Sequence, residues 1–320
     1  MLELLKNKRI VLLFPGQASQ YINMGMKLYE SDNIYRQIFD KIADYINKNF
    51  KEFIDIDLRD LIKNVEYKEK LDLTKYSQIA IFSVSISSFY FLREYVGDIL
   101  TGAGHSLGEY TLLTAFNSLD LYDAINLVIK RGYFMYNYAK QGTMFAVIYN
   151  FDKNSINKLN EIVKKFNSVI ANYNSYNQLI VSCSLDVVDN LKEEIKKEFN
   201  NVKIIPLKVS GAFHSPLVNE ANEIFKQEIF KTNFNDPIKS VFINSQKVND
   251  KDVIKNLMMD QMVRPVNWIE TIENINNEYD NFIFIELLPN KILSNLIQKG
   301  FKNISVEVYS LEDLLQEILV

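Results

Sequence analysis

The chain has 320 residues, of which 48% are hydrophobic and 24% charged, a balance typical of globular proteins rather than disordered or fibrous chains. The formal net charge of -4 argues against a nucleic-acid-binding protein, which usually carries a surplus of basic residues. Cys183 is the one cysteine, and His105 and His214 are the two histidines. These residues cannot form an internal disulfide framework and are too few for a structural zinc site, so we predict no metal.

The N-terminal residues do not have the pattern of an export signal. Met1 to Lys8 is mixed in charge, and the apolar run Ile10 to Phe14 is shorter than a signal peptide requires. The longest apolar stretch, Ile79 to Leu92, contains four serines and is shorter than the roughly 20 residues that cross a membrane. We therefore predict a buried helix at 79–93 and a cytoplasmic protein with no membrane segment.

The first predicted strand, Arg9 to Phe14, is apolar almost throughout, as in parallel strands that are buried on both faces. The loop Pro15 to Gln20 follows, and a helical pattern begins at Met24. Residues 31–75 place charged and apolar residues at helical spacing and predict several short helices. Because ligands bind at the carboxyl ends of parallel strands, loop 15–20 is a candidate wall of a site.

A Gly-x-Ser-x-Gly pattern, the pattern of a nucleophile elbow, spans Gly104 to Gly108 with Ser106 at its centre. A short apolar strand, 99–103, precedes it, and residues 109–116 have helical spacing. Small flanking residues permit the strained turn, and the helix start offers N–H groups to a developing oxyanion. The residues alone leave open a second interpretation, in which Ser106 merely caps a helix.

A helix is predicted from Leu119 to Met135, and it carries Arg131 four residues before Met135 on the same face. A lone arginine near a helix end is usually solvated. His214 also has a structural alternative as a packed histidine. If Ser106 needs a general base, however, His214 is nearly the only candidate, since His105 directly precedes the serine.

Residues 140–209 have a pattern of their own. Strands at 143–149, 168–172, 178–183 and 202–209 alternate with helices at 152–166 and 187–199, which is the ferredoxin-like βαββαβ order. Further strands are predicted at 241–244, 281–287 and 304–308, and helices at 253–262 and 293–299. We therefore predict an α/β fold, with a large α/β-hydrolase-like domain of parallel sheet core (1–139 and 210–320) and a small ferredoxin-like insert (140–209).

Five short motifs then stand in the order found in the malonyl-CoA:acyl carrier protein transacylases, and the chain resembles this family from residue 9 to about 300. The family includes the acyltransferases of polyketide synthases. The motifs are Phe14-Pro15-Gly16-Gln17, Gly104-His105-Ser106-Leu107-Gly108, Arg131-Gly132 with Met135, Gly211-Ala212-Phe213-His214-Ser215, and Gln261 with Pro265-Val266-Asn267-Trp268.

The resemblance implies a serine–histidine mechanism. Ser106 takes the acyl group as an ester, and His214 acts as base and then as acid. Gln261 matches the position whose backbone carbonyl orients the histidine. The backbone N–H groups of Gln17 and Leu107 form the oxyanion hole. The implied substrate-binding residues are Arg131, which holds the malonate carboxylate, Met135, and Phe213, whose bulk leaves little room for an α-methyl branch.

The resemblance further implies malonyl-CoA and a phosphopantetheinylated acyl carrier protein as substrates, with no bound cofactor. The carrier belongs to either fatty-acid or polyketide synthesis. A monomer is our default expectation.

Three other functions compete with acyl transfer. An acyl-thioester hydrolase on the same scaffold would keep Ser106 and His214 but would gain nothing from a carboxylate clamp at Arg131. A lipase of the α/β-hydrolase class would place its histidine late in the chain. A non-catalytic partner of carrier proteins would have no use for any of these side chains.

Overall fold

The computed structural model describes residues 5–318, with side chains up to Leu315 in the last helix. The strands are β1 (Arg9–Phe14), β2 (Asp98–Gly104), β3 (Gly142–Ile148), β4 (Val169–Ser175), β5 (Gln178–Ser184), β6 (Lys203–Pro206), β7 (Val241–Ile243), β8 (Gln246–Val248), β9 (Phe282–Glu286) and β10 (Val308–Ser310). The α-helices are α1 (Met26–Ser31), α2 (Asn33–Asn49), α3 (Leu58–Lys63), α4 (Lys68–Leu71), α5 (Thr74–Leu92), α6 (Gly108–Ala115), α7 (Leu121–Tyr138), α8 (Lys153–Lys165), α9 (Val188–Glu198), α10 (Asn219–Lys231), α11 (Lys251–Met259), α12 (Trp268–Glu278), α13 (Ile292–Gly300) and α14 (Leu311–Ile318). Part of the N-terminal segment Met1 to Lys8, namely residues 1–4, lies outside the described residues.

A six-stranded sheet has the order β10-β9-β1-β2-β7-β8. Neighbouring strands from β10 to β7 are parallel, whereas β8 pairs antiparallel with β7. Alternate residues of β1 pack into two hydrophobic clusters: Leu12 and Phe14 into one, Val11 and Leu13 into the other. This two-sided burial explains why the strand is apolar throughout, and the predicted α/β class with a mostly parallel core is confirmed.

The parallel register brings the ends of three strands to one edge of this sheet. Phe14 of β1 pairs with Gly104 of β2, and Leu13 pairs with Glu286 of β9. The segments that follow β1, β2 and β9 therefore begin side by side, so loop 15–20 and the Ser106 turn are neighbours.

A second sheet has four strands in the order β4-β5-β3-β6, all of them antiparallel. With α8 and α9 in the connections, this is the ferredoxin-like arrangement, as predicted. A backbone hydrogen bond of 2.9 Å from the Tyr173 N–H to the carbonyl of Val266 joins this sheet to the segment before α12. One hydrophobic cluster also runs from Val11 of β1 to Phe145 of β3. The division into two domains at residues 140 and 209 remains a prediction.

The apolar stretch predicted as a buried helix is α5, which begins somewhat earlier, at Thr74. It is buried on all sides, as expected of a helix that is hydrophobic around its whole circumference. Two of its serines bond within the helix, Ser83 to the Ile79 carbonyl and Ser88 to the Ser85 carbonyl. In residues 5–318 no helix combines the length and the apolarity needed to cross a membrane.

Several predicted elements differ from the structure. Residues 31–75 form one long helix, α2, besides the short ones, because a continuous apolar face from Tyr35 to Ile46 packs into the core. The last strand lies at Val308–Ser310, where it pairs with residues 284–286 of β9, rather than at 304–308. Strand β8 and helices α12 and α14 have no counterpart among the predicted elements.

Candidate active site

Ser106 occupies a tight turn between β2 and α6. Its φ of 52° lies in the left-handed region, which is strained for a residue with a side chain. The glycines on either side permit close packing: a Cβ atom on Gly104 would clash with the backbone N of Glu109, and one on Gly108 would clash with the carbonyl of Phe14. The turn therefore holds the serine at the strand end where the sequence places it, with the geometry of a nucleophile elbow.

His214 contacts Ser106 although 108 positions separate them in the chain. Ser106 Oγ lies 2.8 Å from His214 Nε2, and His214 Nδ1 lies 2.9 Å from the carbonyl oxygen of Arg264. Since a carbonyl only accepts, Nδ1 carries the proton and Nε2 is left to accept the serine hydroxyl hydrogen. The backbone of His214 is also left-handed, with φ 54°.

The predicted role of Gln261 in orienting His214 stays a prediction, because the backbone carbonyls of both Arg264 and Gln261 adjoin the imidazole. The carbonyl that accepts from Nδ1 is that of Arg264, and the Gln261 carbonyl only contributes a smaller effect that raises the pKa of the imidazole. The reason lies in the chain path. Helix α11 ends at Met259, and the His214 N–H bonds to the Met262 carbonyl, so the ring reaches a carbonyl further along the turn.

Arg131, on α7, is almost fully buried, with 1% of its surface exposed. Its Nη2 lies 3.1 Å from Ser106 Oγ. Gln261 Oε1 accepts from Nη2 at 3.0 Å and from Nε at 3.2 Å, and Gln78 Oε1 accepts from Nη1 at 2.6 Å. The guanidinium is thus held on two edges by neutral amides, and part of it is directed at the nucleophile.

The electrostatics of this cluster favour a neutral imidazole. Burial and, second, the positive charge of Arg131 lower the pKa of His214 to about 3. Burial also lowers the pKa of Arg131, an effect that Tyr110 and Glu109 oppose. At neutral pH the histidine is therefore an uncharged acceptor beside a guanidinium.

Gln17 and Leu107, the predicted oxyanion-hole residues, flank the nucleophile. Gly16 lies so close to the elbow that a Cβ atom on it would overlap the carbonyl oxygen of His105. The Gln17 side chain bonds to Thr74 Oγ1 at 2.8 Å, which fixes this loop. Within residues 5–318 neither the Gln17 nor the Leu107 backbone N–H has a hydrogen-bond partner.

A cleft of about 180 Å³ opens over Ser106 and His214. Met135 and Phe213, both predicted to contact the substrate, line it. Its other walls come from loop 15–20, from the small sheet and from α13, and include Met144, Asn172, Asn174, Ile180, Leu207, Ile292 and Leu296.

His105 has a different environment from His214. Its Nε2 lies 2.9 Å from Asn174 Oδ1, and its ring packs edge-on against Trp268. It faces the cleft but makes no hydrogen bond to Ser106 among the described residues, so it lies outside the serine–histidine pair.

Two buried side chains of the site, Glu109 and Gln78, were not among the predicted residues. Glu109 accepts from Gln261 Nε2 at 2.9 Å, and burial raises the pKa of its carboxyl to about 7. Gln78 bonds to both Arg131 and Met135. The sequence offered two signals for them: a polar residue inside an apolar helix, and an acidic residue directly after the serine motif. No group of three or more His, Cys, Asp or Glu side chains in residues 5–318 is placed to hold a metal ion.

Comparisons with known proteins show the family to which the chain belongs. The family described as acyl transferase domain matches residues 11–316. The malonyl CoA-acyl carrier protein transacylase of Bacillus subtilis is 34% identical over 297 residues, covering 91% of this chain and 90% of the relative. That of Staphylococcus aureus (strain MRSA252) is 30% identical over 313 residues, covering 96% and 97%.

The solved structure of the malonyl CoA-acyl carrier protein transacylase of Coxiella burnetii has a TM-score of 0.85 at 27% identity, covering 98% of each chain. The match thus extends over nearly the whole length of the chain in sequence and in fold. The protein is a member of the acyl transferase domain family, the family of the malonyl CoA-acyl carrier protein transacylases.

Proposed function

We propose that the protein transfers a malonyl group from malonyl-CoA to the phosphopantetheine thiol of an acyl carrier protein, through an ester on Ser106. The observation that carries this proposal is the convergence on one hydroxyl: Ser106 Oγ lies 2.8 Å from His214 Nε2 and 3.1 Å from Arg131 Nη2. A simple esterase needs the first contact but not the second. The two relatives described above, at 34% and 30% identity, are named for this activity.

Acylation begins with the proton of the serine hydroxyl. His214 Nε2 takes this proton while Ser106 Oγ attacks the thioester carbonyl, and the Arg264 carbonyl keeps the imidazole in the required tautomer. The backbone N–H groups of Gln17 and Leu107 stabilise the negative charge that develops on the carbonyl oxygen. Coenzyme A then leaves as a thiolate and receives the proton from His214.

Arg131 recognises the free carboxylate of the malonyl group. Of its five N–H groups, three are engaged by Gln261 and Gln78, one donates to Ser106 Oγ, and one on Nη1 is uncommitted. As Oγ bonds to the carbonyl carbon in the acylation transition state, it becomes a poor acceptor and releases the Nη2 hydrogen. The malonyl carboxylate can then accept from both Nη1 and Nη2 of Arg131, a geometry that lysine cannot reproduce.

The contact between Arg131 and the free carboxylate favours the malonyl group over the acetyl group. A charge-assisted hydrogen bond contributes about 2–3 kcal/mol, which corresponds to roughly a hundredfold preference. The carboxylate also offsets the charge of Arg131, which lowers the pKa of His214 in the unliganded protein. Binding of malonyl therefore makes the imidazole a stronger base than binding of acetyl does.

The second half-reaction reverses the first with a different thiol. His214 deprotonates the pantetheine thiol, the thiolate attacks the ester, and Ser106 recovers its proton from the imidazole. The covalent intermediate lets one narrow cleft serve two carriers in turn. We propose that the protein acts as a cytoplasmic monomer without a bound cofactor, since the serine ester by itself carries the acyl group.

Intact-mass measurement tests the proposal. Incubation with malonyl-CoA should add one malonyl group to the protein, and Ser106→Ala should abolish the adduct. Ser87→Ala is the matched control, because this buried serine of α5 is not part of the cleft, and it should be labelled like the wild type. An adduct that persists in Ser106→Ala contradicts the proposal.

A further inference from the structure

Glu109 lies three residues after Ser106, in the first turn of α6, and is 3% exposed. Both of its carboxylate oxygens are engaged. Oε1 accepts from the backbone N–H of Asn244 at 2.9 Å, and Oε2 accepts from Gln261 Nε2 at 2.9 Å. The side-chain amide of Gln261 thus lies between this buried carboxylate and the guanidinium of Arg131.

Gln261 is the link between this carboxylate and the guanidinium. Its Nε2 donates to Glu109 Oε2 and, at 2.7 Å, to the carbonyl of Ser106, while its Oε1 accepts from Arg131 Nε and Nη2. A flipped amide would place N–H groups against N–H groups and oxygen against two oxygens. Since a carboxylate oxygen accepts, Glu109 acts together with the Ser106 carbonyl to keep the Nε2 end of Gln261 turned away from Arg131.

The other oxygen of Glu109 connects to the turn that holds the imidazole. The side chain of Asn244 donates to the Pro265 carbonyl at 3.0 Å and accepts from the Asn267 N–H at 2.7 Å. These contacts adjoin Arg264, whose carbonyl accepts from the catalytic histidine. Glu109 therefore contacts both Gln261, which holds the guanidinium, and Asn244, which is bonded to the turn that holds the imidazole.

We propose that Glu109 is a positioning residue for acyl-group selection, which orients Arg131 toward the malonyl carboxylate through Gln261. This inference rests on the proposed function of Arg131 as the carboxylate clamp. In Glu109→Gln the new side chain cannot make both contacts. If its amide oxygen accepts from Gln261, its own N–H groups face the backbone N–H of Asn244. The guanidinium is then oriented less firmly. The preference for malonyl over acetyl therefore falls more than the overall rate of acylation does.

A double-mutant cycle tests this mechanism. Acylation rates with malonyl-CoA and with acetyl-CoA are measured by intact mass for the wild type, Glu109→Gln, Arg131→Ala and the double variant. We expect Glu109→Gln to lower the malonyl-to-acetyl rate ratio by about tenfold, the scale of one lost buried hydrogen bond. In the Arg131→Ala background the same substitution should leave the ratio unchanged.

Glu286 offers a matched control. It is also fully buried, but it accepts from the backbone N–H groups of Leu293, at 2.9 Å, and Ser294, at 2.7 Å, at the start of α13. Glu286→Gln should lower thermal stability without changing the acyl ratio. If Glu109→Gln does not fold, Glu109→Asp, which keeps the charge but withdraws it from Gln261 by one methylene, should lower the ratio in the same way.

The failures of the two proposals are distinguishable. An equal drop of the ratio in both backgrounds, or an unchanged ratio in Glu109→Gln while Arg131→Ala lowers it, overturns the role of Glu109 alone. A ratio that stays unchanged in Arg131→Ala overturns the carboxylate clamp and, with it, the role of Glu109.

Discussion

Two strand–turn–helix units at the same edge of the large sheet differ in what they hold. The first runs from β2 through Ser106 into α6, and the second from β9 through residues 287–291 into α13. Each contains a buried glutamate, Glu109 or Glu286, whose carboxyl pKa is raised to about 7, first of all by burial. The two units would look alike to any search based on perturbed pKa values alone.

The partners of the two carboxylates separate their roles. Glu286 accepts from two backbone N–H groups at a helix start, and its helix gives the cleft apolar side chains such as Ile292 and Leu296. Glu109 accepts from Gln261, which in turn bonds to Arg131. A raised pKa marks burial, and only the chain of contacts onward to a reacting atom marks a functional group. Changes in the first unit should alter chemistry, and changes in the second should alter stability.

The largest effect is expected from removing the base. His214→Ala should lower the rate of acylation by malonyl-CoA by about 10⁴-fold or more, as for other serine–histidine pairs, because His214 is the one base that contacts Ser106 Oγ within residues 5–318. Quenched-flow intact mass measures the rate. The matched control is His105→Ala. The His105 ring bonds to Asn174 rather than to Ser106, so this variant should lose far less of the acylation rate. Equal losses in the two variants would contradict the assignment of the base.

The next largest effect concerns selectivity. Arg131→Ala should lower the ratio of malonyl to acetyl acylation rates by about a hundredfold, since a charge-assisted pair is lost. Competition between the two thioesters, read out by adduct mass, measures the ratio. Arg264→Ala is the control, because its side chain is half exposed and pairs with Asp260, while only its backbone carbonyl supports His214. A similar loss in the control would point to general disorder of the site.

A third prediction concerns pH. The pKa of His214 is lowered to about 3 by burial and by the Arg131 charge, so acylation by acetyl-CoA should change little between pH 7 and pH 5 in the wild type. Arg131→Ala removes a positive neighbour and raises this pKa, while burial still lowers it, so the rate of the variant should begin to fall at a higher pH than that of the wild type. A variant whose rate stays as flat as that of the wild type would argue against this coupling.

The smallest effect belongs to the second unit. The carboxyl pKa of Glu286 is raised from 4.5 to about 7, so its contribution to stability is present below about pH 4.5 and is lost as pH rises through 7. Between pH 5 and pH 8 the free energy of unfolding of the wild type should fall by about 2–3 kcal/mol more than that of Glu286→Gln. Urea denaturation at both pH values measures the difference. An equal fall would show that the carboxyl is not perturbed.

Local sequence pattern accounts for much of this architecture. The elbow, the buried helix α5 and the ferredoxin-like order all follow from apolar periodicity and from glycines that permit tight turns. Ser106, His214 and Arg131 can be identified because each lies in a short motif, and in the structure His214 and Arg131 both lie within hydrogen-bond distance of Ser106 Oγ. Their chemical roles stay predictions.

The features of the site that the sequence does not predict depend on tertiary contacts. Whether the carbonyl beside His214 belongs to Gln261 or to Arg264 is decided by the path of one irregular turn, which has no periodicity to read. The pairing of Glu109 with Gln261 spans 152 positions of the chain. Helix α12 was missed because the Pro265 break obscured the helical spacing that resumes at Trp268.

The fate of the isolated malonyl-enzyme tests the central claim most directly. The adduct, freed of coenzyme A, is mixed with a carrier protein that bears phosphopantetheine or with the same carrier lacking it, and both masses are followed in time. We predict that the malonyl group moves to the thiol-bearing carrier many times faster than it is lost to water. Loss to water at the same rate with either carrier would contradict the account and identify a hydrolase.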